Sequence, residues 1–329
     1  MSNPVENGSD PVLLAVVGPT ATGKSALAVD LAERLGGEVV ACDSTAVYRG
    51  IDIGTDKVPA EEQRGIPHHL VDMVDATETY SAARYAADAS AAIRDIHRRG
   101  KVPILAGGTG FYYRALVRGL FPGPARDDVL RPRLNRMATR RGVETLHRWL
   151  QRVDAESAAR IQPRDQKRLV RALEVYLLTG RPLTAHFAET ASPLAGWTIR
   201  TFGLNVPREI LRARVTARVD QQFACGVVDE VRRLIAAGVP ATAHAFSGLV
   251  YRQVIEMLQG VRNETDTRAL IVQENMRYAK RQLTWFRHEA GIHWIDGPQP
   301  AHREAREARQ GQAGLVENVL HVLHDLHGK

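Results

Sequence analysis

The chain has 329 residues, a formal net charge of +7, 44% hydrophobic residues and two cysteines. That length suffices for a sizeable core and most naturally for two domains, whereas two cysteines exclude a disulfide framework or a cysteine-rich zinc site, and no apolar run approaches the roughly 18 residues that a membrane span needs. The opening MSNPVENGSDP lacks the basic start and apolar middle of a signal peptide, so residues 1–11 read as a disordered lead on a cytoplasmic protein.

Leu13 to Val17 is an unbroken apolar run, the pattern of a parallel strand covered on both faces. It runs into Gly18-Pro19-Thr20-Ala21-Thr22-Gly23-Lys24-Ser25, a complete phosphate-binding loop, followed by a helical pattern from Ala26 to Leu35. The order follows from the chemistry: loop amides and a helix start favour an anion, Lys24 adds a full charge for the outer phosphate, and the Ser25 hydroxyl is placed for Mg²⁺. The loop alone does not distinguish a diphosphate from ATP.

Glu38 to Cys42 reads as a second buried strand ending in Asp43-Ser44. Asp43 has two readings, a turn or helix cap and a carboxylate poised beside the phosphate site as base or outer Mg²⁺ partner. A long connection rich in Gly, Pro and Asp follows, and its His68-His69 reads as ordinary loop rather than as a metal site. Ser81 is placed to cap an Ala-rich helix that ends at Gly100, and Lys101 to Ala106 is a third strand, ending in Gly107-Gly108-Thr109-Gly110. Successive βα units predict an α/β fold with a parallel sheet, its ligand beyond the carboxyl ends of the strands. The phosphate loop, Asp43 and Thr109 should therefore meet around one pocket.

From Phe121-Pro122-Gly123-Pro124 the sequence turns helical and basic as far as Trp197. Residues 126–200 hold 15 Lys and Arg against 8 Asp and Glu, which accounts for the whole excess of +7. Such concentration favours a polyanionic partner, most plausibly nucleic acid, over a merely solvated surface. Gln166 to Thr179 predicts a helix stopped at Gly180, with Leu169, Leu173, Tyr176 and Leu177 facing a core and Lys167, Arg168 and Arg171 off that face. Ile199 to Val206 then reads as another core strand, so the basic segment is an insertion. One long helix is expected over 208–237, its stripe Leu211, Val215, Val219 and Phe223 flanked by Arg214 and Arg218. In the helical stretch Leu270 to His288, Arg277, Lys280, Arg281 and Arg287 interleave with Tyr278, Trp285 and Phe286, which suits single-stranded RNA, although Trp285 and Phe286 read equally well as core. His321, His324 and His327 fall at helical spacing and read as a solvated face.

Taken together, GPTATGKS, ACDSTAVYRGIDIGT, HHLVDMVDATETYSAARYAADA, LAGGTGFYYRAL, RDQKRLVRALEVY and AKRQLTWFRH, in that order, resemble the bacterial tRNA dimethylallyltransferases, or tRNA isopentenyltransferases, from about Val12 to Asp296. The resemblance implies a P-loop NTPase-like core over 12–122 and 198–297 and a helical anticodon-stem-binding insertion over 123–197, while residues 298–329, beyond it, read as a polar and then mildly amphipathic helical tail. It implies that the loop Gly18–Ser25 holds the diphosphate of dimethylallyl diphosphate, with Mg²⁺ at Ser25. It further implies that Asp43 is the general base toward an adenine amine, that Thr109 orients the nucleotide, and that Arg218 clamps the diphosphate. Contacts to the tRNA anticodon stem-loop are implied for Asp43, Ser44, Thr45, Ala46, Thr109, Arg131, Lys167, Arg168, Leu169, Val170, Arg171, Lys280, Arg281, Gln282, Trp285 and Arg287. A monomer is expected. The chain departs from the family at Ser247-Gly248-Leu249-Val250-Tyr251-Arg252, where relatives usually carry Gly before Tyr-Arg. Two rivals remain open, a small-molecule kinase using the same loop and a nucleotide-gated RNA-binding protein.

Overall fold

The structure, a computed structural model, describes residues 11–297 and 313–323. The described chain forms two compact units, one made of residues up to Val117 and from Gly196 onward, the other of Arg118–Ala195. The expected disordered lead lies almost wholly outside the described residues, as do most of the tail and its His324 and His327.

The first unit is built on β1 (Val12–Val17), α1 (Lys24–Leu35), β2 (Gly37–Cys42), β3 (His68–His69), α2 (Ala82–Arg98), β4 (Val102–Gly107) and α3 (Gly110–Val117). Ser81 caps α2 as its position predicts, its hydroxyl accepting from the Arg84 amide at 3.1 Å. His68 and His69 depart from the expected loop. They pair with Val39 and Val40 as a two-residue edge strand, and the His69 Nε2 meets the Glu38 carboxylate at 2.7 Å.

The second unit carries α4 (Leu130–Arg141), α5 (Val143–Val153) and α6 (Gln166–Thr179). Its core gathers Leu134, Leu146, Leu150, Leu169, Leu173 and Val175. Helix α6 ends at Gly180, as its sequence predicts. Leu177, expected in the core, is exposed, and Val170, Ala172 and Val175 are buried in its place. The helix is thus rotated relative to the stripe drawn through Leu169 and Leu177, and an apolar arc this broad leaves that choice open.

The chain then completes the first unit with β5 (Thr198–Asn205), α7 (Arg208–Ala224), α8 (Val227–Ala236), α9 (Leu249–Leu258), α10 (Glu264–Arg287), β6 (Ile292–Asp296) and α11 (313–323). The single helix expected over 208–237 is two, because the chain turns at Cys225-Gly226, where Gly226 takes φ 89°. The stripe Leu211, Val215, Val219 and Phe223 is buried as expected.

The sheet is parallel throughout, in the order β3-β2-β4-β1-β5-β6. Leu14, Val16, Phe202 and Leu204 alternate onto one face, where they pack with Leu27 and Leu31 of α1 and with Leu315, Val316 and Val319 of α11. The register sets the level of the strand ends. Gly107 lies opposite both Val17 and Cys42, so Gly18, Asp43 and Gly108 leave the sheet side by side.

Candidate active site

At this carboxyl edge the loop Gly18–Ser25 joins β1 to α1 and borders a cavity of about 990 Å³. The loop is braced from within, since the Thr22 hydroxyl donates to the Pro19 carbonyl at 2.9 Å and the Lys24 ammonium donates to the same carbonyl at 2.8 Å. From outside, Gln282 of α10 accepts from the Thr20 amide at 2.9 Å and donates to the Gly108 carbonyl at 2.8 Å. This close approach explains two glycines of the LAGGTG stretch. A Cβ on Gly108 would lie 2.2 Å from the Gln282 amide, and one on Gly110 would lie 2.2 Å from the Trp285 ring.

Asp43 caps its turn with one carboxylate oxygen and borders the cavity. Its Oδ1 accepts from the Thr45 amide at 2.8 Å, the Thr45 hydroxyl at 2.7 Å and the Ala46 amide at 3.2 Å, which is the turn-capping role. Its Oδ2 accepts no hydrogen bond among the described residues, and Asp43 lines the cavity. With its hydroxyl hydrogen given to Asp43, Thr45 must accept from the neighbouring Thr55 hydroxyl. Thr109 accepts from the Ser44 amide at 3.2 Å and also meets the hydroxyl of Tyr278, whose pKa is pushed up to about 12, chiefly by burial. Cys42, just behind, is buried and its thiol is pushed up to about 12, so it is no nucleophile.

Three cations face the loop. Arg218 donates to the Thr20 hydroxyl at 3.0 Å and pairs with Asp56 at 3.0 Å, and Arg214 points at the Ala21 and Thr22 carbonyls. Burial, and then the charge of Arg218, lower the pKa of Lys24 to about 8. A bound anion favours protonated Lys24, so the advantage of the parent over Lys24→Ala in affinity for inorganic diphosphate is expected to be flat below pH 8 and to fall above it, by up to about tenfold per pH unit. Calorimetric titrations between pH 7 and 9.5 measure this directly.

The donor set also fits Mg²⁺. The Ser25 hydroxyl is exposed to the cavity and has no hydrogen-bond partner among the described residues. Among the described residues there is no group of three or more His, Cys, Asp or Glu placed to cage a metal. A hydroxyl beside a phosphate loop is the kind of protein oxygen that can hold Mg²⁺ together with substrate phosphates and water.

The residues implied in RNA contact divide. Lys280, Arg281 and Arg287 stand exposed on α10, whereas Gln282 is buried in the bridge just described. Trp285 is half-buried beneath the Arg114 guanidinium at 4.4 Å, and Phe286 is wholly core. In the second unit, Lys167 and Arg168 are exposed, while Leu169 and Val170 face the core. Arg131 and Arg171 converge on the buried Glu174, Arg131 through Nε at 2.8 Å and Nη2 at 3.0 Å, and Arg171 at 2.8 Å. Glu174, Asp56 and Glu230 are carboxylates that sequence patterns do not single out, because Arg131 for Glu174, Arg218 for Asp56 and the Asp52 and Ile53 amides for Glu230 are brought up by tertiary folding. The departure at Ser247–Arg252 lies where Gly248 opens α9, with Val250 buried behind it.

A family model described as IPP transferase matches residues 46–289. The tRNA dimethylallyltransferase of Geobacter metallireducens is 49% identical over 286 residues, covering 87% of this chain and 93% of that protein. That of Solibacter usitatus is 49% identical over 297 residues, covering 89% and 95%. Among solved structures, the tRNA isopentenylpyrophosphate transferase of Bacillus halodurans superposes with a TM-score of 0.66 at 35% identity, covering 96% of this chain and all of that one. A eukaryotic dimethylallyltransferase acting on tRNA gives a TM-score of 0.73 at 28% identity, over 87% of this chain and 74% of that one. The matched span carries Thr109 and Arg218 and the whole basic insertion, and near-half identity extends over almost the full chain, so the protein belongs to the IPP transferase family.

Proposed function

We propose that the protein transfers a dimethylallyl group from dimethylallyl diphosphate to N6 of the adenosine 3′-adjacent to the anticodon of tRNA, releasing diphosphate, and that it does so as a cytoplasmic monomer. One observation carries this reading. A second cavity of about 270 Å³, bordered by Ser44, Thr45 and Gly248, adjoins the large one, and Asp43, Arg218 and Tyr278 line both. A donor on the phosphate loop and a base extruded into the smaller cavity then meet across Asp43. The names of the relatives fit the same chemistry.

The adenine N6 lone pair is delocalised into the ring, so the amine needs a base within hydrogen-bond reach. Asp43 serves with Oδ2, while the three donors on Oδ1 fix the plane of the carboxylate. As N6 bonds to the allylic carbon, the carbon–oxygen bond to diphosphate breaks and the N6 proton passes to Asp43. Lys24, Arg218 and the loop amides face the oxygen on which charge develops. When bound, Mg²⁺ at Ser25 neutralises part of the diphosphate charge. Thr109, held by the Ser44 amide, orients the nucleotide.

Incubation with unmodified tRNA and either labelled dimethylallyl diphosphate or labelled ATP tests the reaction. Label from the prenyl donor should move to RNA, and transfer from ATP instead would establish the kinase reading. The basic second unit is proposed to grip the anticodon stem through exposed Lys167 and Arg168, with Arg131 and Arg171 held against Glu174. The double variant Lys167→Ala/Arg168→Ala should lower tRNA affinity and flatten the plot of log affinity against log salt by about one to two. Donor binding should be untouched, and an unchanged slope would remove that grip from the second unit.

A further inference from the structure

We propose that Asp56 is a fixed negative charge within the donor site, and that it makes diphosphate binding depend on a divalent cation. The inference rests on the donor-site reading above and concerns a residue to which that reading gives no part.

Asp56 lines both cavities, and its Oδ2 lies 3.0 Å from Nη1 of Arg218, the same nitrogen that donates to the Thr20 hydroxyl of the phosphate loop. Its charge also reaches Lys24. An acidic side chain on a mobile loop would swing aside as a diphosphate arrived. Asp56 is not so free. Its backbone takes φ 58°, a left-handed conformation that a non-glycine residue keeps only when its surroundings impose it. Here they do. The carboxylate of Glu230, buried to 1% exposure, accepts from the backbone amides of Asp52 and Ile53 at 3.1 and 2.9 Å and from the Tyr251 hydroxyl at 2.6 Å. On the far side, Lys57 donates at 2.6 Å to each of the Tyr48 carbonyl, Asp52 and Asp72. The Asp56 amide itself donates to the Ile53 carbonyl at 3.2 Å. The turn is clamped on both sides, so the backbone that carries Asp56 is held in place and presents its half-exposed carboxylate 3.0 Å from Arg218.

The charges then decide the outcome. Around the large cavity, Lys24, Lys57, Arg214 and Arg218 face Asp43, Asp56 and Glu62, a formal excess of a single positive charge. A diphosphate brings about two to three negative charges at neutral pH, so the protein alone leaves it under-neutralised by about what one divalent cation supplies. The Ser25 hydroxyl, with no hydrogen-bond partner among the described residues, is a protein oxygen available for that cation. Without Asp56, Arg218 would be wholly available and the site would hold diphosphate unaided.

The test is calorimetric titration of inorganic diphosphate into the full chain and into Asp56→Asn, in EDTA and in saturating Mg²⁺. Asparagine tolerates the left-handed backbone and keeps the shape. The expected result is at least about a tenfold gain in metal-free affinity for Asp56→Asn, with Mg²⁺-loaded affinity within about threefold of the parent. Unchanged metal-free affinity, or a loss in both conditions, overturns the proposal, the latter assigning Asp56 to holding Arg218 in place. Asp56→Gly, which removes the carboxylate and any backbone strain together, should match Asp56→Asn. If only the glycine variant gains affinity, strain is the cause and the proposal fails. A parent protein that binds no diphosphate even with Mg²⁺, indistinguishable from Lys24→Ala, would overturn the donor-site reading itself and this inference with it.

Discussion

Asp43→Asn is expected to lower the single-turnover rate of prenyl transfer by roughly 10²-fold or more, the usual worth of a positioned general base, while affinities for tRNA and donor change little. The substitution is nearly isosteric. The retained amide oxygen can still accept from Thr45 and Ala46, so the turn after β2 should survive. What disappears is the basic oxygen presented to the adenine amine. A rate within a few-fold of the parent would show that the amine loses its proton elsewhere. A collapse of donor affinity together with the rate would instead assign Asp43 to the metal.

Lys24→Ala should lower turnover by about 10²- to 10³-fold, the range found when one preorganised donor to a developing negative charge is removed. It should also abolish most of the rise in thermal midpoint that dimethylallyl diphosphate with Mg²⁺ gives the parent. The folded state should tolerate the change, because the ammonium is desolvated, with its pKa lowered to about 8, and its one hydrogen bond goes to the Pro19 carbonyl within its own loop. A variant equally stable without ligand, yet unresponsive to donor, separates the binding role from a structural one. Full retention of the ligand-induced shift would move the diphosphate off the loop.

Much of this site is legible in sequence because its parts are local. The loop Gly18–Ser25 is contiguous, and its signature includes the strand before it and the helix after it. Asp43 and Thr109 are found by a topological rule, since residues just past parallel strands gather at one edge. The remainder depends on contacts that no local period encodes. Gln282 bonds to Thr20 across 262 positions, and Glu230 bonds to Ile53 across 177. Strand β3 has two residues and β6 five, too short for a period to emerge. The break at Cys225-Gly226 is missed because glycine inside a helical pattern signals a cost but not a turn.

The first unit's sheet has an implication for synthesis on the ribosome. Strand β1 emerges first, but its partner β5 begins at Thr198, after the whole of Arg118–Ala195 has been made. The sheet face is closed last, by Leu315, Val316 and Val319. At about 5 to 20 residues per second, the inserted helices have many seconds of lead, and their contacts are local enough to form within them. Meanwhile the face that α1 shares with α11 is only partly covered. A stalled or shortened message that stops before residue 313 would therefore release a chain with a finished helical unit and an unfinished sheet, the kind of species that chaperones and proteases are built to find.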